Sequence, residues 1–358
     1  MTQDISNLPK LILSARPLLG EAAASPEARR DAFARFNTPE SIRDYLAEAR
    51  QTGFRAILTL GDERIVAALK LLKRQGANGD AYTASATSSP GSASSPGSAP
   101  SPGSAPSSSN APTRNAAPDG NGHAGPNGVP GRNGRAARNG FDVLPIIPNV
   151  LGYVREATEY GLAGAGMRRL LRVGPLGFLR ASLVGALNAP KVLRKDFPTL
   201  LSILYELEMG EFHQFAPPAV FLHHQMTDLA LSFGNRAFFE KYAVLMRERF
   251  HTEPGLVTSN FALLAARLTD WDVPIRHIVA PFNRAHFLMP GGLEAYQRAL
   301  ESGRFHLIAD RLSPEFPTPT AEIDWALRQP QVSSVVVEWG RNDAEEKPDR
   351  KKQVSICS

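Results

Sequence analysis

Apolar residues in this chain fall into short runs, and stretches with helical periodicity separate them. The runs are KLILSA at Lys10–Ala15, FRAILTL at Phe54–Leu60, DVLPIIPNV at Asp142–Val150 and AVFLHH at Ala219–His224. Four more follow: GLVTSN at Gly255–Asn260, IRHIVAPF at Ile275–Phe282, RFHLIAD at Arg304–Asp310 and VSSVVVEWG at Val332–Gly340. They are near-continuously apolar rather than alternating, which is how strands covered by helices on both faces read. The stretches between them carry helix punctuation. Thr38 is placed as an N-cap, Pro39 as the first helical residue and Gly53 as the stop of one helix. Gly76 closes the next predicted helix, DERIVAALKLLKRQG, and Asn235 caps NRAFFEKYAVLMRERF. FALLAARLTDW, GLEAYQRALESG and TAEIDWALRQP follow the last strands in turn. Eight strand–helix units predict a (β/α)8 TIM barrel, an α/β fold. The alternative is an open doubly wound sheet, but LILSARPLLG after the first strand lacks the G-x-G-x-x-G fingerprint.

Two segments interrupt the alternation. Residues 77–139, with repeated SPGSA and then DGNGHAGPNGVPGRNG, hold too few apolar side chains to offset the entropy of ordering the backbone. They are predicted to be a disordered insertion between the second helix and the third strand. Residues 151–215 are too long for one strand-to-helix connection and read as a helical insertion after the third strand, broken at Gly174–Pro175. Arg168, Arg169, Arg172, Arg180, Lys191, Arg194 and Lys195 make it basic. Such a stretch suits a lid over the barrel mouth, a helical subdomain, or contact with a membrane surface. The organisation expected is therefore 1–76 as the first part of the barrel, 140–340 as the rest, and 341–358 as a flexible tail. Without the insertion about 290 residues remain to fold, the size of a single barrel.

Composition narrows the function classes. Net charge is +5, and the basic residues are scattered rather than gathered into a patch, so no nucleic-acid partner is expected. The single cysteine, Cys357, excludes an internal disulfide and a cysteine metal cluster and fits a cytoplasmic location. No signal peptide and no apolar stretch of transmembrane length is read.

On a barrel of this kind the groups at the C-terminal strand ends line the reaction face. That rule places His223 and His224 after the fourth strand, Thr258, Ser259 and Asn260 after the fifth, and Asn283 after the sixth. Ser14 with Arg16, Asp62 with Glu63, Asn149, Asp310 with Arg311, and Glu338 occupy the remaining ends. Alternation sends one of His223 and His224 inward as a candidate catalytic group and the other towards the helices. Each candidate has a structural alternative: a core histidine, helix caps at Ser259 and Asn260, a turn at Asn283. Glu63, Asp310 and Glu338 could add carboxylates to a metal site, but no H-x-H or H-E-x-x-H spacing occurs and no metal is expected.

Several of these segments, in order, resemble the aldo-keto reductases. AVFLHHQMTD is similar to that family's fourth strand, which its catalytic histidine closes. LVTSNFALL is similar to its fifth strand, whose Ser-Asn pair holds the nicotinamide carboxamide, and IVAPFN to its sixth. AEIDWALRQPQVSSVVVEWG resembles its last helix and strand, and GDERIVAALK an early helix start. The resemblance implies a divergent NADP-linked oxidoreductase, with Ser259, Asn260 and Asn283 on the cofactor and His223 or His224 catalytic. The family's other catalytic positions depart from its pattern. Leu60 stands near its tyrosine, Arg55 near its aspartate, and Asn149 where its lysine belongs. The expectation is a small-molecule ligand at the mouth with little ordinary carbonyl reduction. A non-catalytic barrel binding a ligand or partner, or a barrel lyase or hydrolase, stays open beside it.

Overall fold

Each of the eight apolar runs forms a strand or part of one; the fifth strand begins two residues before its run. The strands are β1 (Leu11–Ser14), β2 (Ala56–Leu60), β3 (Asp142–Ile147), β4 (Ala219–Leu222), β5 (Glu253–Val257), β6 (His277–Pro281), β7 (His306–Asp310) and β8 (Val332–Val337). All neighbours pair in parallel, in chain order, and β8 closes on β1 with Ile12 opposite Val336. The structure, a computed structural model, describes residues 8–22, 25–86, 140–149, 152, 158–159 and 197–340. The predicted basic helices between 153 and 196 and the tail after 340 lie outside the described residues, as does 87–139.

The pleat divides the strand side chains into two layers. Ile12, Ala56, Leu58, Leu144, Phe221, Val279, Ile308 and Val336 point inward and fill the barrel. Their neighbours Leu13, Ile57, Val143, Leu222, Leu256, Ile278, Leu307 and Val337 point outward and pack beneath the helices. Burying such a side chain contributes roughly 1.5–3 kcal/mol, so both faces of every strand must be apolar for the fold to persist. Phe221 is the largest plug, and β5 makes room for it. A Cβ at Gly255 would come within 2.4 Å of two carbons of the Phe221 ring.

The helices begin where the sequence punctuates them. After a 3-10 turn at Arg16–Leu19 come α1 (Pro26–Arg35), α2 (Pro39–Gln51) and α3 (Glu63–Ala86). In α2 the Thr38 hydroxyl accepts from Ser41 N, with Pro39 in the first turn. Then follow α4 (Phe197–Phe212), α5 (His224–Ser232), α6 (Arg236–Val244) with a π-helical turn at Leu245–Arg249, α7 (Phe261–Asp270), α8 (Gly292–Leu300) and α9 (Thr320–Leu327). Asn235 and Asn260 cap α6 and α7 with their side-chain oxygens.

Some boundaries correct the sequence reading. The helix expected to stop at Gly76 continues to Ala86, because a glycine weakens a helix by about 1 kcal/mol without ending it, and the next proline is Pro90. Helix α1 was not expected, since PEARRDAFAR shows no apolar stripe. His306 opens β7, and it stacks on His277 at the N-terminal end of the barrel, 5.1 Å between centroids. No helix among the described residues is long and apolar enough to cross a membrane.

Candidate functional site

Extending each inward row by one pleat gives the mouth of the barrel. Two residues past Ile12 is Ser14, past Phe221 is His223, past Ile308 is Asp310, and past Val336 is Glu338. His223 continues the inward row and is buried to 6% exposure, while His224, the first residue of α5, is the ring on which the mouth charges Arg311, Asp310 and Arg16 act. The backbone reaches that position because His223 N donates to Ile147 O of β3 at 2.7 Å, the last rung of the ladder. Its Nδ1 then accepts from Gln225 N at 3.3 Å and caps α5, so neutral His223 carries its proton on Nε2. Burial, with His224 adjacent, depresses its pKa to about 4. The two rings lie 4.3 Å apart, tilted by 34°.

A charged constellation surrounds this pair. Arg16, two residues past Ser14, sets Nη1 2.7 Å from Glu338 Oε1 and 3.9 Å from Asp310 Oδ1. Arg311 sets Nε 3.9 Å from Asp310 Oδ2. Arg16 Nη1 and Asp310 Oδ1 are shielded from solvent without an aligned hydrogen-bond partner. Burial raises the pKa of Glu338; Arg16 opposes this, and Asp310 adds to it. His224 feels the same groups: burial lowers its pKa, Asp228 and Asp310 pull it up, and Arg311 and Arg16 push it down. So His224 is neutral near pH 7 while Glu338 is displaced towards keeping its proton. The backbone around Glu338 is fixed by Thr318, whose hydroxyl accepts from Glu338 N at 3.1 Å and whose N–H donates to Glu338 O.

The groups expected to hold a nicotinamide sit beside this constellation in other employment. Asn260 Oδ1 accepts from Leu263 N at 3.3 Å as the α7 cap. Ser259 is exposed, and its N–H donates to the Asp228 carboxylate, which also accepts from Thr258 Oγ1 at 2.6 Å. Asn283 is buried and commits both amide protons, to Phe287 O at 2.9 Å and Arg311 O at 3.1 Å, while Oδ1 accepts from Phe287 N. Asn283 thus spends its whole carboxamide on turn chemistry, whereas Asn260 spends its Oδ1 on the α7 cap. Asn149 and Asp62 are likewise engaged. Asn149 Nδ2 donates to Gly61 O, and Asp62 accepts from Arg64 and from the first turn of α3. Among the described residues, no three His, Cys, Asp or Glu converge as a metal site.

The sequence placed Arg16, Asp310, Arg311 and Glu338 at strand ends but did not single them out as the site. The usable signal was four charged residues abutting strands that otherwise carry almost none.

Fold and mouth together define the class: a closed parallel eight-stranded α/β barrel with a charged C-terminal rim. Compared with protein-family models, curated proteins and solved structures, the chain matches none of them. The aldo-keto reductase resemblance draws no support from these comparisons.

Proposed function

We propose that the barrel mouth binds a small polar molecule and performs acid–base chemistry of the lyase or hydrolase kind. The observation that carries this reading is the Arg16–Glu338–Asp310 contact beside the His223–His224 pair. Titratable groups with opposed shifts, gathered where a barrel holds its reactive groups, suit proton transfer. Neutral His224 serves as the base. Glu338, its carboxyl raised by burial, serves as the acid. Arg16 orients Glu338 and offsets negative charge that develops near it. Hydride transfer is the weaker reading, because the Asn283 carboxamide is fully engaged elsewhere and Leu60 supplies no acid.

The test is incubation of the purified chain with a mixture of small metabolites, with and without NADPH, followed by mass spectrometry. The expected result is consumption of a compound by the wild type, independent of NADPH and abolished by Glu338→Gln. Turnover that requires NADPH and survives Glu338→Gln would sink this reading in favour of the reductase one.

A further inference from the structure

Arg311 differs from the other arginines at this end of the barrel. Arg16 is committed to Glu338, and Arg284 to Glu322 through two hydrogen bonds. The Arg311 guanidinium makes only the 3.9 Å approach to Asp310 and, among the described residues, no hydrogen bond. Its side chain is 37% exposed, and it lies close enough to bear on Glu21, His224 and Glu338. Its backbone is held in the left-handed region, φ 48°, which costs a non-glycine residue energy and persists only where its surroundings enforce it. What holds it is Asn283, whose Nδ2 donates to Arg311 O.

The same carboxamide organises the loop after β6. It grips Phe287 by both backbone groups, and the residues on either side, His286 and Leu288, also have positive φ. That tight turn leaves Phe287 41% and Leu288 45% exposed. Two large apolar side chains thus stand exposed side by side next to a strand end. One buried amide thus ties the backbone of Arg311, whose guanidinium makes no hydrogen bond among the described residues, to the backbone of the apolar loop, with the carbonyls of Arg311 and Phe287 both within hydrogen-bond reach of a single nitrogen.

We infer that Arg311, Phe287 and Leu288 form a subsite for a small amphipathic organic anion. The Arg311 fork takes the carboxylate or phosphate end, and the apolar portion lies against the loop. Asn283 is the positioning residue for both halves. A guanidinium pairs with either head in bidentate geometry, and an anion arriving there replaces the long contact to Asp310. This inference rests on the reading of the mouth as a ligand site.

Calorimetric titration of the full chain with hexanoate, hexyl phosphate, 1-hexanol, acetate and inorganic phosphate tests it. At least one hexyl anion should bind about tenfold or more tightly than 1-hexanol and than its own head group alone. Which of the two binds identifies the head. Arg311→Ala should abolish the preference for the anion, and Arg311→Lys should keep part of it. The double change Phe287→Ser and Leu288→Ser should abolish the preference for the chain. Arg298→Ala, exposed on α8, should change neither. Equal binding of 1-hexanol, an anion preference surviving Arg311→Ala, or no binding of any hexyl compound overturns the subsite. The reading of the mouth itself stands or falls separately, on whether any small molecule is retained by the wild type and released by Glu338→Gln.

Discussion

His223 ties the chemistry of single residues to stability. Folded, it stays neutral down to about pH 4, whereas an ordinary histidine gains its proton near 6.5. Between these values the unfolded chain binds more protons, so the His223 contribution is present above about 6.5 and is lost as pH falls towards 4. Glu338 acts in the opposite sense. Its raised folded pKa favours the folded state at low pH, and that contribution is lost as pH rises through the folded value. Comparison with His223→Gln separates the two. The stability difference between wild type and variant, from urea unfolding, should shrink by about 2 kcal/mol between pH 7 and pH 4. A difference that does not change with pH would show that His223 is no more buried from protons in the folded chain than in the unfolded one. Asp228 gives a second prediction. It accepts from Thr258 Oγ1 and from Ser259 N, so Asp228→Ala takes the acceptor from the buried Thr258 hydroxyl and should cost about 1–3 kcal/mol in the same assay.

At the scale of elements, the strands were legible because burial on both faces demands apolar side chains at consecutive positions. Caps were legible because Thr38, Asn235 and Asn260 each accept from a backbone N–H three residues on. Strand ends were not. The run AVFLHH reads as one segment, yet β4 stops at Leu222 because His223 spends its side chain on the first turn of α5. The extended region after β3 was only partly legible, α4 being its described helix. The fit of Phe221 to Gly255 is a packing relation between β4 and β5 that neither segment announces alone. It predicts that Gly255→Ala destabilises the barrel by about 1–3 kcal/mol through overpacking, and that adding Phe221→Leu recovers part of the loss. Thermal unfolding of the single and double variants checks this. A Gly255→Ala chain as stable as wild type would mean that the ring moves aside freely.

For the whole molecule, closure makes the site. Arg16 and Glu338 come from opposite ends of the chain, and only the pairing of β8 with β1 brings them to 2.7 Å. No local pattern encodes that contact, which is why the charged rim was visible as separate strand ends and not as a constellation. The same closure is buttressed by Tyr45 of α2, whose hydroxyl donates to Trp339 O at 2.8 Å just past β8. Residues 87–139 carry few large apolar side chains in their sequence. On their composition, replacing them with a short polar linker should leave the midpoint of thermal unfolding within a few degrees of wild type. A large loss of stability on that replacement would mean that the segment contributes to the core. The central claim is that the charged mouth is a ligand site, and affinity selection with mass spectrometry tests it most directly. Wild type, Glu338→Gln and Arg298→Ala are each equilibrated with a small-molecule metabolite mixture, and what stays bound is identified. The account predicts at least one compound retained by wild type and by Arg298→Ala and released by Glu338→Gln. The same compounds retained by all three, or none retained by wild type, would contradict it.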